Sequence, residues 1–354
     1  MESVVNREFW AGRRVLLTGH TGFKGSWLAL WLSSLGARVT GYALAPSTDP
    51  SLWQLLGSLP QTTSMIEDVR DPAALRRAFD ESRPEVVFHL AALALVRRSY
   101  DDPVGTYATN VMGTVNTLEA ARHCRDTKAI VIVTSDKCYE NRETGQLYRE
   151  SDPMGGHDPY SSSKGCAELV TTAYRRSFFR GGPGLGSARA GNVIGGGDWA
   201  ADRLVPDLVR GALKGEATLI RNPAAVRPWQ HVLEPLAGYL RLAEVLYASP
   251  ERYAGGWNFG PAEHDCVPVA QAADFVVKRW GAGARWRTDS NQHPHEAKLL
   301  ALDAGKAREQ LGWRPRLRLE QALSWTVDWY REVAQGKPAH ATCLGQIEQY
   351  MGVQ

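Results

Sequence analysis

The feature that most constrains the fold is an apolar run that passes through three evenly spaced glycines into an apolar helix. Residues 14–17 are a strand candidate, and residues 26–32 are apolar nearly all round, as expected of a helix that packs on a sheet. Glycines in this context let the backbone turn tightly and approach a pyrophosphate at the helix N-terminus. A strand-to-helix turn without a ligand is the simpler alternative. The spacing favours a dinucleotide-binding turn at Gly19, Gly22 and Gly25.

Strand and helix patterns alternate through the first half of the chain. After the first run, further short runs of strand character lie at residues 38–44, 84–92, 129–134 and 186–193, and Asp68, within residues 66–70, closes another short strand. Helical patterns separate them, and this alternation is typical of a parallel sheet with helices on both faces. We therefore predict an α/β fold built on a doubly wound parallel sheet.

The ends of these strands supply candidate cofactor contacts, because ligands of open parallel sheets bind at the carboxyl ends. Asp68 is predicted to bind the adenine or its ribose, or alternatively to cap the helix that begins near Pro72. The second strand ends without an acidic residue or a following arginine, which leaves NAD and NADP undistinguished. Asn110 either braces Lys164 through water or ties its helix to a strand. The predicted cofactor-binding residues are Gly19, Gly22, Phe23, Lys24, Gly25, Asp68, Val69, Leu90, Ala91, Ala92, Asn110, Tyr160 and Lys164.

A reaction centre is predicted where the run 129–134 ends. Ser135 stands at that strand end, and Tyr160 and Lys164 are four residues apart, so they share one face of the helix that follows. A phenol is a poor base at neutral pH until a neighbouring cation favours the phenolate, and Lys164 supplies that charge. Ser135 would bind the same substrate hydroxyl. A Tyr–Lys pair on a helix surface is the plain alternative, which the glycine loop and the strand-end serine disfavour.

The composition of the chain argues against several classes of binding partner. The chain has 354 residues, and its 41 basic and 38 acidic residues give a net charge of +3 without a cluster that would indicate nucleic acid or membrane binding. The N-terminus has no apolar leader, and no run is long enough to span a membrane, so we expect a cytoplasmic protein. Five widely spaced cysteines fit neither a disulfide framework nor a metal site, so we expect them to be reduced.

The second half of the chain is less regular. From residue 195 onward, loops rich in proline, arginine and tryptophan appear, and Arg203 and Arg227 lie in such loops. Arginine binds phosphate through paired hydrogen bonds, and tryptophan stacks on bases. Solvated loops with scattered arginines are the alternative. We predict that this half binds the substrate.

The glycine loop, the strand-end Ser135 and the Tyr160-x-x-x-Lys164 motif together resemble the extended short-chain dehydrogenase/reductase family over nearly the whole chain. Four longer blocks are similar to the nucleotide-sugar 4,6-dehydratases of that family, and in particular to the branch that acts on CDP-glucose. These blocks are residues 134–141, 152–156, 190–199 and 294–297.

This resemblance implies a two-domain enzyme that holds NAD tightly. A Rossmann domain would span residues 1–190, and a smaller nucleotide-sugar-binding domain would span 191–354, with the chain returning to the Rossmann sheet near 231–260. A homodimer or homotetramer is also implied. The residues implied to bind the nucleotide sugar are Ser135, Asn192, Arg203, Leu204, Arg227 and His295.

The chain departs from the resemblance at one position. In dTDP-glucose-type dehydratases an Asp is the acid for the C6 hydroxyl and a Glu is the base for the C5 proton, whereas this chain has Asp136 followed by Lys137. The resemblance implies that Asp136 is the acid. Lys137 is either a base, with a pKa lowered by burial or by Lys164, or a group that positions water or stabilises an enolate. The predicted catalytic residues are Ser135, Asp136, Lys137, Tyr160 and Lys164.

Three other functions stay open at this point. A nucleotide-sugar 4-epimerase would share Ser135, Tyr160, Lys164 and NAD, but it needs no acid and base directed at C5 and C6. A 4,6-dehydratase could act on another nucleotide hexose. A non-catalytic dinucleotide sensor would not need the three residues of the reaction centre.

Overall fold

A seven-stranded parallel sheet forms the centre of the computed structural model, which describes residues 5–281, 283–291 and 300–352. The strand order is β11-β6-β5-β4-β1-β2-β3. Because β1 lies between β2 and β4, the chain reverses direction there and a crevice opens at the carboxyl ends of the strands. The predicted doubly wound α/β fold is confirmed. The strands are β1 (Arg14–Thr18), β2 (Arg38–Ala43), β3 (Thr62–Ile66), β4 (Val86–His89), β5 (Ala129–Val133), β6 (Gly184–Arg189) and β11 (Gly255–Asn258).

The central strands are buried on both faces, which explains their continuous apolar sequences. Every residue of β5 is buried. Ile130 packs in the core on one face of the sheet and Val131 in the core on the other, because successive side chains of a strand point in opposite directions. The longer helices around the sheet are α2 (Phe23–Ser34), α4 (Pro72–Ser82), α7 (Gly113–Arg122), α8 (Pro159–Ser177) and α10 (Leu233–Ala248).

The second half of the chain forms pairs of short strands with their own helices. The paired strands are β7 (Val193–Ile194) with β10 (Gln230–His231), β8 (Ala217–Ile220) with β13 (Arg285–Thr288), and β9 (Val226–Pro228) with β12 (Cys266–Pro268). The helices are α9 (Leu204–Lys214), α12 (Val269–Trp280), α13 (Leu319–Ala334) and α14 (Ala339–Gly352). The remaining helices are short: α1 (Arg7–Trp10), α3 (Leu52–Leu56), α5 (Val96–Asp101), α6 (Pro103–Tyr107) and α11 (Pro250–Tyr253).

Three strand predictions differ from the structure. The third strand is Thr62–Ile66, a half-exposed edge strand with little apolar pattern, and it ends two residues before Asp68, which was predicted to close it. The fourth strand is Val86–His89, which is shorter than the predicted 84–92. The predicted strand 186–193 is two strands, since Asn192 has a φ of +39°, a conformation that does not continue a strand. In the part of the chain that the structure describes, no helix combines the length and the apolar character needed to cross a bilayer.

Candidate active site

A cleft with a volume of about 700 Å³ lies between the carboxyl ends of the sheet strands and the second half of the chain. Its walls include most of the residues predicted to bind a cofactor or a substrate. The glycine loop, the Ser135 segment and the Tyr160 helix line one side, and Asn192, Arg203, Leu204 and Arg227 line the other. His295 lies outside the described residues. The roles of these residues stay predictions, but their placement in one cleft is a fact of the fold.

The glycine loop is packed too closely for side chains at two positions. A Cβ on Gly19, which has a φ of +77°, would lie 2.6 Å from the Ala91 backbone nitrogen. A Cβ on Gly25 would lie 2.0 Å from the Gly19 carbonyl oxygen. Gly22 precedes α2 without a side-chain cap, so the first-turn amides of that helix face the cleft with their positive dipole end. This arrangement fits the pyrophosphate of a dinucleotide.

Lys24 brings positive charge from the glycine loop toward the reaction centre. Burial lowers the pKa of Lys24 to about 8, and the charges of Arg203 and Lys164 lower it further, while Asp136 and Asp198 oppose this change. Charged groups from three parts of the sequence therefore meet in the cleft. Such a concentration of charge in a partly dry site favours the binding of an anionic ligand.

Asp68 lies on the cleft wall with its carboxylate held by Arg70. The guanidinium donates to Oδ2 at 2.8 and 2.5 Å, and the Arg70 backbone nitrogen donates to Oδ1 at 2.9 Å. These hydrogen bonds keep the pKa of Asp68 below its ordinary value. The alternative that Asp68 caps α4 is wrong, because Asp71 is the N-cap and accepts from the amides of the first turn.

Asn110 braces the cleft wall from behind and, unlike the other predicted cofactor-binding residues, does not line the cleft. Its amide accepts from the Leu93 nitrogen at 2.8 Å and donates to the Leu93 oxygen at 3.1 Å and to Ser163 Oγ at 2.8 Å. Two roles were predicted for Asn110, and the structure shows the one in which its side chain ties its helix to neighbouring elements. It connects the loop after β4 to helix α8, within a π-turn at 108–112.

Ser135 and Asp136 form a buried pair at the end of β5. Ser135 Oγ donates to Asp136 Oδ1 at 2.9 Å and accepts from the Lys137 backbone nitrogen at 3.2 Å, which caps a short 3₁₀ turn at 136–138. Asp136 is only 2% exposed. Its Oδ2 lies 1.9 Å from the place that a Cβ on Gly191 would occupy, so the glycine is what admits the carboxylate.

Tyr160 and Lys164 lie in the first two turns of α8, which Asp158 caps by accepting from the Ser161 nitrogen at 3.0 Å. Burial raises the pKa of Tyr160 to about 12, although a hydrogen bond with Ser135 lowers it in part. Burial also lowers the pKa of Lys164 to about 8. Lys164 Nζ donates to the Val133 carbonyl at 3.3 Å. At neutral pH the site therefore holds a neutral phenol beside a largely charged ammonium.

A buried ion pair behind the reaction centre has no counterpart in the sequence predictions. Glu168, one helical turn after Lys164, binds Arg189 from β6 at 2.8 Å and accepts from Thr134 Oγ1 at 2.5 Å. Arg189 also donates to the Tyr139 hydroxyl at 2.6 Å. No local spacing connects these residues, because the sheet brings them together.

Ion pairs also organise the opposite wall of the cleft. Arg203 donates to Asp198 Oδ2 at 2.7 Å. Asp202 accepts from Arg97 at 2.9 Å and from Arg221 at 2.6 Å, which connects the two halves of the chain across the cleft. All five side chains line the cleft. Of these five, Arg203 was predicted to bind the substrate, and the ion pairs themselves were not predicted.

Comparison with known proteins gives concordant results. A sequence model of the family described as GDP-mannose 4,6 dehydratase matches residues 16–326. The CDP-glucose 4,6-dehydratase of Salmonella typhimurium is 50% identical over 98% of this chain and 99% of that protein. The structure of DesIV, a dTDP-glucose 4,6-dehydratase from Streptomyces venezuelae with NAD and TYD bound, matches with a TM-score of 0.77 and 26% identity over 90% of this chain and 97% of that chain.

A solved epimerase has a similar fold. The epimerase Mth375 of Methanothermobacter thermautotrophicus matches with a TM-score of 0.83 and 23% identity, over 93% of this chain and 95% of that chain. At this identity the match shows the fold alone. The catalytic side chains, rather than the fold, must therefore separate the candidate reactions.

Proposed function

Because this chain belongs to the GDP-mannose 4,6-dehydratase family, we propose that it dehydrates CDP-D-glucose to CDP-4-keto-6-deoxy-D-glucose. The reaction oxidises C4, eliminates water across C5 and C6, and returns the hydride to C6. The observation that carries the proposal is the buried Asp136 beside Ser135, in the same cleft as Tyr160 and Lys164. A 4-epimerase has no use for an acid at that place.

The cofactor is NAD. The uncapped start of α2 and the tight packing at Gly19 and Gly25 suit its pyrophosphate. Bound NAD would supply the hydride-transfer chemistry, in which the hydride leaves C4 of the sugar and returns to C6, so that no net oxidation would occur. We assign the contacts of NAD to the predicted cofactor-binding residues that line the cleft. Asn110 supports the cleft wall from behind and does not contact NAD directly.

Tyr160 removes the proton of the C4 hydroxyl. Its pKa of about 12 in the cofactor-free protein is too high for a base at neutral pH. Positive charge next to the phenol lowers that pKa, and the structure shows such an effect from Arg203. We assign a further contribution in the complex to Lys164, from the next turn of the helix. Ser135 binds the same hydroxyl and orients it. Because Lys164 itself has a pKa of about 8, this assistance weakens in alkaline solution.

Asp136 gives its proton to the departing C6 hydroxyl, and the C5 proton leaves to a base. Lys137, which is partly exposed on the cleft wall, is either that base or a cation that stabilises the enolate formed after C4 oxidation. Lys137→Ala distinguishes the two. If the variant loses exchange of the C5 proton with solvent, Lys137 is the base. If exchange is retained and elimination is slower, Lys137 is the cation that stabilises the enolate.

The second half of the chain holds the nucleotide sugar. We assign Arg203 and Arg227 to the diphosphate because guanidinium groups bind phosphate oxygens in pairs. Asn192 and Leu204 line the same wall. The boundary at 190/191 between a cofactor domain and a substrate domain, and the role of His295, remain predictions.

The protein assembles into a homodimer or homotetramer. Three large apolar side chains are exposed on neighbouring elements: Val104 of α6 at 79%, Met112 at 50% and Leu169 of α8 at 60%. Exposed apolar side chains on adjacent elements are suited to self-association. Light scattering of the protein and of Leu169→Glu tests this, and an unchanged mass in the variant would place the interface elsewhere. Five free cysteines suit a reducing compartment, so we place the enzyme in the cytoplasm.

The substrate assignment is tested by incubation with CDP-, dTDP-, GDP- and UDP-glucose while the 4-keto product is followed. The proposal expects product with CDP-glucose at the highest kcat/KM. Preference for another nucleotide sugar would support the dehydratase reaction but contradict the assignment of cytidine as the nucleoside of the substrate. Formation of a 4-epimer without loss of water would reject the dehydratase.

A further inference from the structure

Three buried polar atoms near Asp136 have no hydrogen-bond partner among the described residues. They are Asp136 Oδ2, Gln230 Oε1 and the Tyr239 hydroxyl, and their side chains are 2%, 3% and 0% exposed. A buried polar atom without a partner is costly, so such atoms commonly share a buried water molecule or take part in catalysis. The proposed mechanism uses Asp136 and neither of the other two.

Contacts between neighbouring residues connect the three groups in space. Gln230 Nε2 donates to the Gly191 carbonyl at 3.2 Å and to the Phe259 carbonyl at 2.9 Å. Asp136 Oδ2 packs against Gly191, because a Cβ on that glycine would lie 1.9 Å from the oxygen. Tyr239 packs edge to face on Phe259 with 5.7 Å between ring centroids. Gln230 therefore shares Gly191 as a neighbour with the carboxylate and Phe259 as a neighbour with the Tyr239 ring.

The hydrogen bonds of Gln230 fix the orientation of its amide. Both bonds run from Nε2 to carbonyl oxygens, which cannot donate, so Oε1 must be the free atom. Burial raises the pKa of Tyr239, and the nearby Tyr160 and Asp136 raise it further, so its hydroxyl stays protonated as a donor. The cluster thus contains one donor and two acceptors, a set that a single water molecule can join.

We propose that one buried water molecule joins Tyr239, Gln230 and Asp136, and that Tyr239 is a positioning residue for the acid of the dehydration. The inference rests on the proposed function. When the C6–O bond breaks, the Asp136 proton leaves with the hydroxyl as water, and the C5 proton passes to the base. The Tyr239 hydroxyl then stabilises the new carboxylate through the bridging water. When the hydride returns to C6, the base gives its proton back to C5. Over the turnover Tyr160 gains the C4 hydroxyl proton and Asp136 loses one, so the net number of protons on the site is unchanged.

The test compares the wild type with Tyr239→Phe, which removes the hydroxyl and keeps the ring. Tyr247→Phe is the matched control, because Tyr247 lies on the same helix but contacts Arg13 and Glu85 instead. Oxidation is followed by the absorbance of the reduced nicotinamide in a single turnover. Elimination is followed by release of labelled water from CDP-glucose that carries ¹⁸O at C6.

We expect Tyr239→Phe to oxidise C4 at nearly the wild-type rate and to eliminate water about tenfold more slowly, with KM unchanged. The alkaline limb of the elimination rate should move to higher pH, because loss of a donor disfavours the carboxylate. Tyr247→Phe should match the wild type. A high-resolution crystal structure should show ordered water bonded to Tyr239 and Asp136 in the wild type and not in Tyr239→Phe.

The inference would be overturned if Tyr239→Phe eliminated water at the wild-type rate with the wild-type pH profile. A crystal structure of the wild type without that water would also overturn it. Equal slowing of oxidation and elimination would also overturn it, because it would indicate general disorder of the site. If the wild type released no water from any nucleotide sugar, the proposed function itself would fail. The ordered water would then remain a separate and directly observable test of the site.

Discussion

Arg189 binds the Glu168 carboxylate through two hydrogen bonds, from Nε to Oε1 at 2.9 Å and from Nη2 to Oε2 at 2.8 Å. Their side chains are only 6% and 2% exposed. Because Glu168 also accepts from Thr134 and lies one turn after Lys164, the pair connects strand β5, strand β6 and helix α8 directly behind the reaction centre. We therefore expect this connection to help hold Ser135 and Lys164 in place.

Glu168→Gln should destabilise the protein strongly, by about 3–5 kcal/mol, because Arg189 is left as a buried charge without its partner. Urea denaturation measures the free energy of unfolding. Glu119→Gln is the matched control, since its ion pair with Arg122 is 40% and 35% exposed and should contribute about 1 kcal/mol or less. Equal losses in the two variants would mean that the buried pair has no special role.

Tyr160→Phe should lower kcat by roughly 10²- to 10⁴-fold, as expected for loss of a general base. Steady-state assay of 4-keto product measures the loss. Calorimetric titration with NAD should give nearly the wild-type affinity, because the phenol ring remains. Near-normal turnover by this variant would assign the base to another residue.

Lys164 should make the stability of the cofactor-free protein rise with pH above neutrality. Its pKa is about 8 in the folded protein against 10.5 ordinarily, because of burial. Between these values the unfolded chain binds a proton that the folded protein does not, so the free energy of unfolding increases with pH. At pH 7 the buried charge costs about 3 kcal/mol, and Lys164→Met should be more stable than the wild type by about that amount.

The stability advantage of Lys164→Met should shrink as the pH approaches about 10, where Lys164 is neutral in the folded wild type. Urea denaturation of both proteins at the two pH values gives the difference directly. A difference that did not change with pH would show that Lys164 keeps an ordinary pKa in the folded protein.

The local elements of the site were predictable, and the contacts between distant elements were not. Ser135 follows a β-branched strand, and Tyr160 and Lys164 share a helix face by spacing alone, so sequence placed them together. An arginine within a buried strand, such as Arg189, is unusual and indicates a buried partner. The neighbouring sequence does not identify Glu168 as that partner. Tyr239 lies in a helix that is mostly apolar and buried, where the simplest interpretation of a tyrosine is a core residue.

Helix capping and short strands show a second limit of the sequence. Asp68 and Asp71 both precede Pro72 at plausible capping distances, and only the backbone angles decide that Asp71 caps α4. Strand β11 contains two glycines and an asparagine, so it has no strand-like pattern, and the sheet position next to β6 creates it. From the sequence, the segment that returns to the main sheet could be located only within residues 231–260.

Asp136→Asn should separate oxidation from elimination. Hydride transfer from C4 should continue, because Ser135, Tyr160 and Lys164 are unchanged, but the C6 hydroxyl should not leave without its acid. In a single turnover the absorbance of the reduced nicotinamide should therefore accumulate together with an unreduced 4-keto-hexose. If this variant blocked the first hydride transfer as completely as Tyr160→Phe, Asp136 would belong to the oxidation step or to substrate positioning.

The most direct test of the account uses CDP-glucose that carries deuterium at C4. If the same cofactor molecule takes and returns the hydride within one closed site, the deuterium should appear at C6 of the 4-keto-6-deoxy product, as nuclear magnetic resonance would show. Deuterium lost to solvent, found on released cofactor, or retained at C4 of an epimerised sugar would contradict the dehydration mechanism.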